Sequence, residues 1–135
     1  MATVNLIQSK RSQSKAGLKF ILSYCKRDSK TVYGDKKLIG GVNCVAESAY
    51  HEMLSTKMRY GKTDGRMFYH LVQSFSPEEN ITPETAHEIA LKFAEREFPE
   101  YEVLVATHTD KAHIHSHFII NSVRHLMMVL SALPD

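Results

Sequence analysis

The 135-residue chain holds 17 Lys/Arg against 15 Asp/Glu, is 43% hydrophobic and has no tryptophan. That is enough chain for one core and too little for two. No apolar run reaches the length of a membrane span, "MATVNLIQSKR" lacks the apolar stretch of a signal peptide, and Cys25 and Cys44 form neither a metal-ligand spacing nor a disulfide framework, so the chain reads as a reduced, cytoplasmic domain with no membrane partner.

In chain order, "TVNLIQ" reads as a short strand in which Val4 and Leu6 alternate with polar neighbours. "SKAGLKFILSYCK" reads as a helix with Ser14 as N-cap and Ala16, Phe20 and Cys25 near one stripe. "KTVYGDKKLIGGVNC" is punctuated by Gly34-Asp35 and Gly40-Gly41, which predicts a loop leading into a short strand at about Val42. "AESAYHEMLSTKMRYG" is helical, with Ala49, Met53 and Met58 inward and Gly61 as its stop. "GRMFYHLVQSF" reads as a buried strand.

The next helix has the clearest boundaries: Thr82 as N-cap, Pro83 at the first helical position, an apolar stripe of Ala86, Ile89, Ala90, Phe93 and Ala94, and Pro99 as the stop. "EVLVATHT" and "HIHSHFIINSV" are then two strands joined at Asp110-Lys111-Ala112. The order implies an α+β fold, a central antiparallel sheet flanked by helices that are expected on one face. Residues 1–123 form the domain. Residues 124–135, "RHLMMVLSALPD" from Arg124, form a short apolar tail, of either a truncated product or a minimal domain.

Charge and histidine are both clustered. Residues 1–37 hold nine Lys/Arg against Asp28 and Asp35, whereas the rest holds eight basic and thirteen acidic residues. A basic segment on a nearly neutral chain suits a nucleic-acid backbone, although charge alone slightly favours a solvated surface. In "ATHTDKAHIHSHFIINSV", Ala106 to Val123, four of the eight histidines fall within ten residues. On a strand, His113, His115 and His117 point to one face, and neutral imidazole is the commonest metal ligand.

These residues bring a family into view. "HTDKAHIHSHFIIN" resembles the third motif of the conjugative relaxases, particularly the MOBP type of the HUH endonucleases, with His108, Asp110, His115, His117 and Asn121 in frame. "LSYCKRDSKT" is similar to the first motif and places Tyr24 at the nucleophile position; "YHLVQSFSPEENITPETAHEIA" is similar to the second and places the DNA-contacting serine at Ser74. The resemblance implies an HUH relaxase with a ferredoxin-like palm. It also implies metal-dependent nicking and rejoining of single-stranded DNA at a transfer origin through a covalent 5′-phosphotyrosine, with accessory relaxosome proteins as further partners. Alternatives are an HUH nuclease of replication-initiation or transposase type, and a catalytically idle DNA- or metal-binding module.

The chemistry is consistent with those roles. A tyrosine ester stores the phosphodiester energy for rejoining, but a phenol of ordinary pKa near 10 needs a polarised phosphate. A divalent ion on His108, His115 and His117 would supply that, with Mn²⁺ or Mg²⁺ expected in function and Zn²⁺, Ni²⁺ or Co²⁺ also acceptable to imidazoles. Asp110 would fix a histidine tautomer or take a proton. Lys26, Arg27 and Lys30 are candidate DNA contacts.

Simple hairpin register opposes this ligand set. A tight turn at residues 109–112 pairs His108 with His113 and leaves His117 furthest away, so His113 stays a fourth candidate ligand. Tyr33, in a Gly-flanked loop, competes as nucleophile. Asn121 reads as a possible additional site residue or a backbone-bonding strand residue, and His70 as either facing the pocket or buried in the core. His51, His87 and His125 read as structural or solvated.

Overall fold

The computed structural model describes residues 2–8 and 13–124. In chain order the elements are β1 (Thr3–Ile7), α1 (Lys15–Cys25), α2 (Asp28–Thr31), β2 (Val32–Tyr33), β3 (Lys36–Lys37), β4 (Ile39–Val42), α3 (Ala49–Arg59), β5 (Phe68–Phe75), α4 (Pro83–Glu97), β6 (Tyr101–His108) and β7 (Ile114–Arg124). Five strands form one sheet in the order β1-β5-β7-β6-β4, and every neighbouring pair is antiparallel. The tail from His125 onward and the basic residues Lys10 and Arg11 lie outside the described residues.

Helices cover both faces of this sheet rather than the single face expected. Leu104, Ala106 and Ile119 pack against Leu18, Ile21 and Leu22 of α1 and Met53 of α3. Their strand neighbours Val103, Val105, Phe118 and Ile120 point the other way and meet Ala90 and Ala94 of α4. The reason is legible in composition. "VLVA" and "FII" are continuous apolar runs, so β6 and β7 present apolar side chains on both sides, and each side needs a cover.

Helix ends follow the expected caps while two of the stripes shift. Ser14 Oγ accepts from Gly17 N at 3.0 Å, and Thr82 Oγ1 accepts from Thr85 N at 3.2 Å ahead of Pro83. The buried stripe of α1 is Leu18, Ile21, Leu22 and Cys25, so Ala16 and Phe20 give way to larger aliphatics spaced three and four apart. In α3, Ala49 and Met53 are buried as expected, but Met58 is 61% exposed and Lys57 points inward instead. Lys57 Nζ donates to Met67 O at 2.6 Å and to Ser122 Oγ at 2.8 Å, and burial pushes its pKa down to about 8. In α4, Ala86, Ala90 and Ala94 are buried as expected, while Ile89 is exposed instead and His87 takes a buried place.

Two further segments differ from expectation. The stretch read as a loop holds the β2–β3 hairpin, turning at Gly34 with φ +65°, a conformation that favours glycine. Val4 and Leu6 of β1 are exposed, because β1 is an edge strand whose faces the helices leave largely open.

Candidate functional site: a histidine cavity beside Tyr24

The site grows out of the β6–β7 pairing. His108 lies opposite His115, and Ala106 lies opposite His117, so the connection is longer than a tight turn. The expected pairing of His108 with His113 does not occur. Thr109 N donates to Lys30 O at 2.7 Å, which draws the chain away from β7 as soon as β6 ends; His113 lies exposed in the loop. With this register the His108 and His117 ring centroids lie 4.1 Å apart, and those of His115 and His117 lie 6.4 Å apart.

These rings share the sheet face covered by α1. The buried stripe of α1 seats the helix on the sheet and brings Tyr24, its penultimate residue, to the rim. There the Tyr24 ring stacks on Phe20 at 6.0 Å. After the helix stops, the chain folds back through Arg27 into α2 and holds Lys30 Nζ and Arg27 Cζ each 4.9 Å from the Tyr24 ring centroid. Tyr24, Lys30, His108, Asp110, Lys111, His115 and His117 line one cavity of about 210 Å³.

The hydrogen bonds around the rings define their free atoms. His108 Nε2 lies 2.9 Å from the Cys25 carbonyl. A carbonyl only accepts, so Nε2 carries the proton and Nδ1 keeps its lone pair. His117 Nδ1 lies 2.9 Å from His70 Nε2, which leaves Nε2 of His117 outside that bond. Burial lowers the pKa of all four rings: His117 to about 2, with His108 and His70 adding to the effect, and His70 to about 4. The rings are therefore neutral near pH 7, the form that ligates metals.

Asp110 does not supply either ring bond. Its Oδ2 receives a hydrogen bond from Lys30 Nζ at 3.1 Å. Burial works to raise the Asp110 carboxyl, but the Lys30 hydrogen bond and charge outweigh it and hold it below the ordinary carboxylate range. Lys30 is held above its ordinary value, first by Asp110 and, against some desolvation, by a hydrogen bond with Tyr24.

With this geometry in hand, a family model described as "Relaxase: MobA/VirD2-like, nuclease domain" matches residues 24–130, well over half of the chain. The chain belongs to this family. Two proteins named "Protein rlx" from Staphylococcus aureus resemble this relaxase nuclease domain. One is 43% identical over 83 residues, 62% of this chain and 26% of its own length. The other is 36% identical over 105 residues, 76% of this chain and 32% of its own length. The "Group II intron-interrupted relaxase LtrB" of Lactococcus lactis subsp. cremoris (strain MG1363) is 48% identical over 62 residues, 45% of this chain and 11% of its own length. The chain thus spans no more than 32% of the length of these relatives. No solved structure matches significantly.

The other sequence-derived candidates of the relaxase domain fall in three places. Ser74 lies opposite His115 on the same sheet face. Lys26 turns away from the cavity, donating from Nζ to Ala46 O at 3.0 Å, and Tyr33 sits in β2, outside the cavity lining. Asn121 is wholly buried and donates to Met53 O at 3.1 Å and to Glu102 Oε1 at 2.9 Å, so it ties α3 to the sheet four residues along β7 from His117. Sequence reading missed Lys111 in the lining and the Cys25 carbonyl on His108. The first is one more cation in a loop. The second is a backbone atom, invisible to residue type.

Relaxases of this family generally use a divalent metal, and the donor set of the cavity fits one. His108 Nδ1, His117 Nε2 and the His115 ring are neutral donors outside the ring hydrogen bonds. A different group packs its potential ligand atoms more tightly: those of Cys25, His70 and His117 lie within 4.8 Å of one another. It is the poorer fit on chemical grounds. An ion there would have to deprotonate a buried thiol that burial pushes up to about 12. Among the described residues, no helix is long and apolar enough to cross a membrane.

Proposed function

We propose that this relaxase nuclease domain nicks and rejoins one DNA strand at an origin of transfer through Tyr24, with a divalent ion held by His108, His115 and His117. The observation that carries the reading is the single cavity in which Tyr24, the three imidazoles, Asp110 and Lys30 converge. A bound divalent ion would polarise the scissile phosphate and offset the charge developing on its oxygens. Mn²⁺ or Mg²⁺ would serve, although neutral imidazoles suit Mn²⁺, Co²⁺, Ni²⁺ or Zn²⁺ better than Mg²⁺, which prefers oxygen ligands.

The chain's own residues do the rest. Tyr24 Oη attacks phosphorus, the bond to the 3′ oxygen breaks, and the 5′ phosphate stays on the tyrosine. The phenolic proton passes through a bridging water to Asp110, which is ionised and shares Lys30 with Tyr24. The departing 3′ oxygen takes a proton from solvent. Lys30 and Arg27, beside the ring, hold the backbone phosphate and balance negative charge on the phenolic oxygen. Rejoining reverses each step. Ser74, beside His115, contacts the strand, and accessory relaxosome proteins present the origin.

The test is an oligonucleotide spanning the nick site of a transfer origin, labelled on its 3′ fragment and incubated with Mn²⁺. The wild-type chain converts label into a covalent protein adduct on a denaturing gel. Tyr24→Phe gives none, and Tyr33→Phe gives adduct at the normal rate. The reverse pattern overturns the assignment of the nucleophile; adduct on unrelated origins alone overturns the assignment to transfer.

A further inference from the structure

We propose that His70 is a positioning residue for the metal site, accepting a hydrogen bond from His117 so that the His117 lone pair on Nε2 faces the cavity. This rests on the reading of His117 as a ligand and adds a residue that the relaxase motif frame does not include.

His70 sits on β5, and the register places it opposite Ile119, two residues along the same face from His117. It is 8% exposed, and its Nε2 lies 2.9 Å from His117 Nδ1. Their ring centroids are 5.1 Å apart with the planes tilted by 44°, so the contact is a hydrogen bond between ring nitrogens rather than a stack. One proton serves that bond. Two arrangements are possible for two neutral rings. If His70 donates, His117 Nδ1 is the acceptor and the His117 proton sits on Nε2, which then cannot ligate. If His117 donates from Nδ1, Nε2 carries the lone pair.

Local chemistry favours the second arrangement. The His117 ring lies 4.1 Å from that of His108 and lines the cavity, whereas His70 lies outside the lining. Ligating His117 Nε2 locks the proton on Nδ1, and His70 Nε2 is the atom placed to receive it. Ligating histidines generally hold their tautomer and ring angle through such a bond on the other nitrogen, and losing the partner typically costs about 10–100-fold in metal affinity. Asp110 was the candidate for this task on sequence grounds, but its observed partner is Lys30. The Cys25 carbonyl performs the equivalent task for His108. The two closest rings of the cavity are therefore each fixed by an acceptor deeper in the fold.

The experiment titrates Mn²⁺ alone into the full metal-free chain by calorimetry and reads imidazole tautomers by ¹⁵N NMR. His70→Phe keeps the ring volume and removes the acceptor; it should bind Mn²⁺ ~10–100-fold more weakly. His70→Gln places an amide oxygen near the position of Nε2 and should recover most of that loss. In the metal-free wild type, the His117 proton should reside on Nδ1. Mn²⁺ affinity unchanged in His70→Phe, an equal loss in His70→Gln, or a His117 proton on Nε2 each overturns the proposal. If His70→Phe does not fold, the wild-type tautomer and the Gln variant still decide it. His117→Ala separates the two levels of inference: unchanged Mn²⁺ binding there overturns the metal-site reading itself, whereas loss there with full affinity in His70→Phe overturns only the role of His70.

Discussion

The two faces of the β6–β7 ladder border histidines with opposite fates. On the α4 face, His87 Nδ1 lies 2.8 Å from Thr107 Oγ1, which in turn lies 2.8 Å from Ser116 Oγ. Burial lowers its pKa, opposed by a hydrogen bond with the Ile39 backbone, so this ring is engaged within the fold. One residue along each strand, on the α1 face, His108 and His117 are each tied to the fold through one nitrogen and border a cavity that Tyr24 also lines. Burial alone therefore does not separate a histidine engaged wholly within the fold from one that borders a cavity. The distinguishing feature is a nitrogen left outside the internal hydrogen bonds and facing open space.

The sharpest way to break this comparison is to remove one ring from each face. His115→Ala should abolish Mn²⁺ binding and cleavage, while His113→Ala, in the exposed loop, should be mild. His87→Leu should leave Mn²⁺ affinity at the wild-type level. Calorimetric titration of the three variants checks this; a large loss in His87→Leu would merge the two faces into one functional unit.

A smaller effect is expected on stability. His87→Leu strands the Thr107 and Ser116 hydroxyls without their third partner and should cost about 1–3 kcal/mol in urea unfolding. The pH dependence sharpens the contrast. Every buried ring has a folded pKa below its unfolded value near 6.5, so the unfolded chain takes up protons first as pH falls. Stability from neutral burial is fully present above about pH 6.5 and is lost as pH falls below it, at most roughly 1.4 kcal/mol per pH unit for each ring. Metal-free wild type should thus lose stability between pH 7.5 and 5.5, and His87→Leu should lose less. The remaining slope belongs to the α1 face, where His70 and His117 are pushed down furthest, to about 4 and about 2.

How much of this was legible in the sequence depended on what each feature rests on. The antiparallel sheet, the α4 boundaries and the clustering of His108, His115 and His117 rest on local pattern: alternation, Thr82-Pro83, and residue type. The two-sided cover was missed because continuous apolar runs in β6 and β7 were paired with a one-sided architecture. The His108–His115 register depends on loop length, which hydrogen bonds between Thr109 and Lys30 set from a distant part of the chain. The inward Lys57 was obscured because its partners, Met67 and Ser122, are far apart in sequence and meet only in the fold. Lys26, Arg27 and Lys30 looked equivalent by charge, yet a helix end and a short second helix point them differently.

That last difference sets the smallest predicted effect, on the salt dependence of DNA binding. Each phosphate neutralised on a single strand contributes about −0.7 to the slope of log K against log salt. Arg27 and Lys30 flank Tyr24 on the α1 face, whereas Lys26 is half-buried with Nζ on the Ala46 carbonyl and its pKa lowered by burial. Arg27→Gln should therefore flatten the slope by about 0.7, as one lost phosphate contact. Lys30→Gln should flatten it by less than Arg27→Gln, because Asp110 already pairs with the Lys30 ammonium and must release it to a phosphate. Lys26→Gln should leave the slope unchanged. Sequence preference should persist in all three, since phosphate contacts position the strand without reading bases. Equal flattening by Lys26→Gln and Arg27→Gln would show that the basic segment acts as an undirected charged surface. A slope unchanged in all three would move the DNA path off this edge of the cavity altogether.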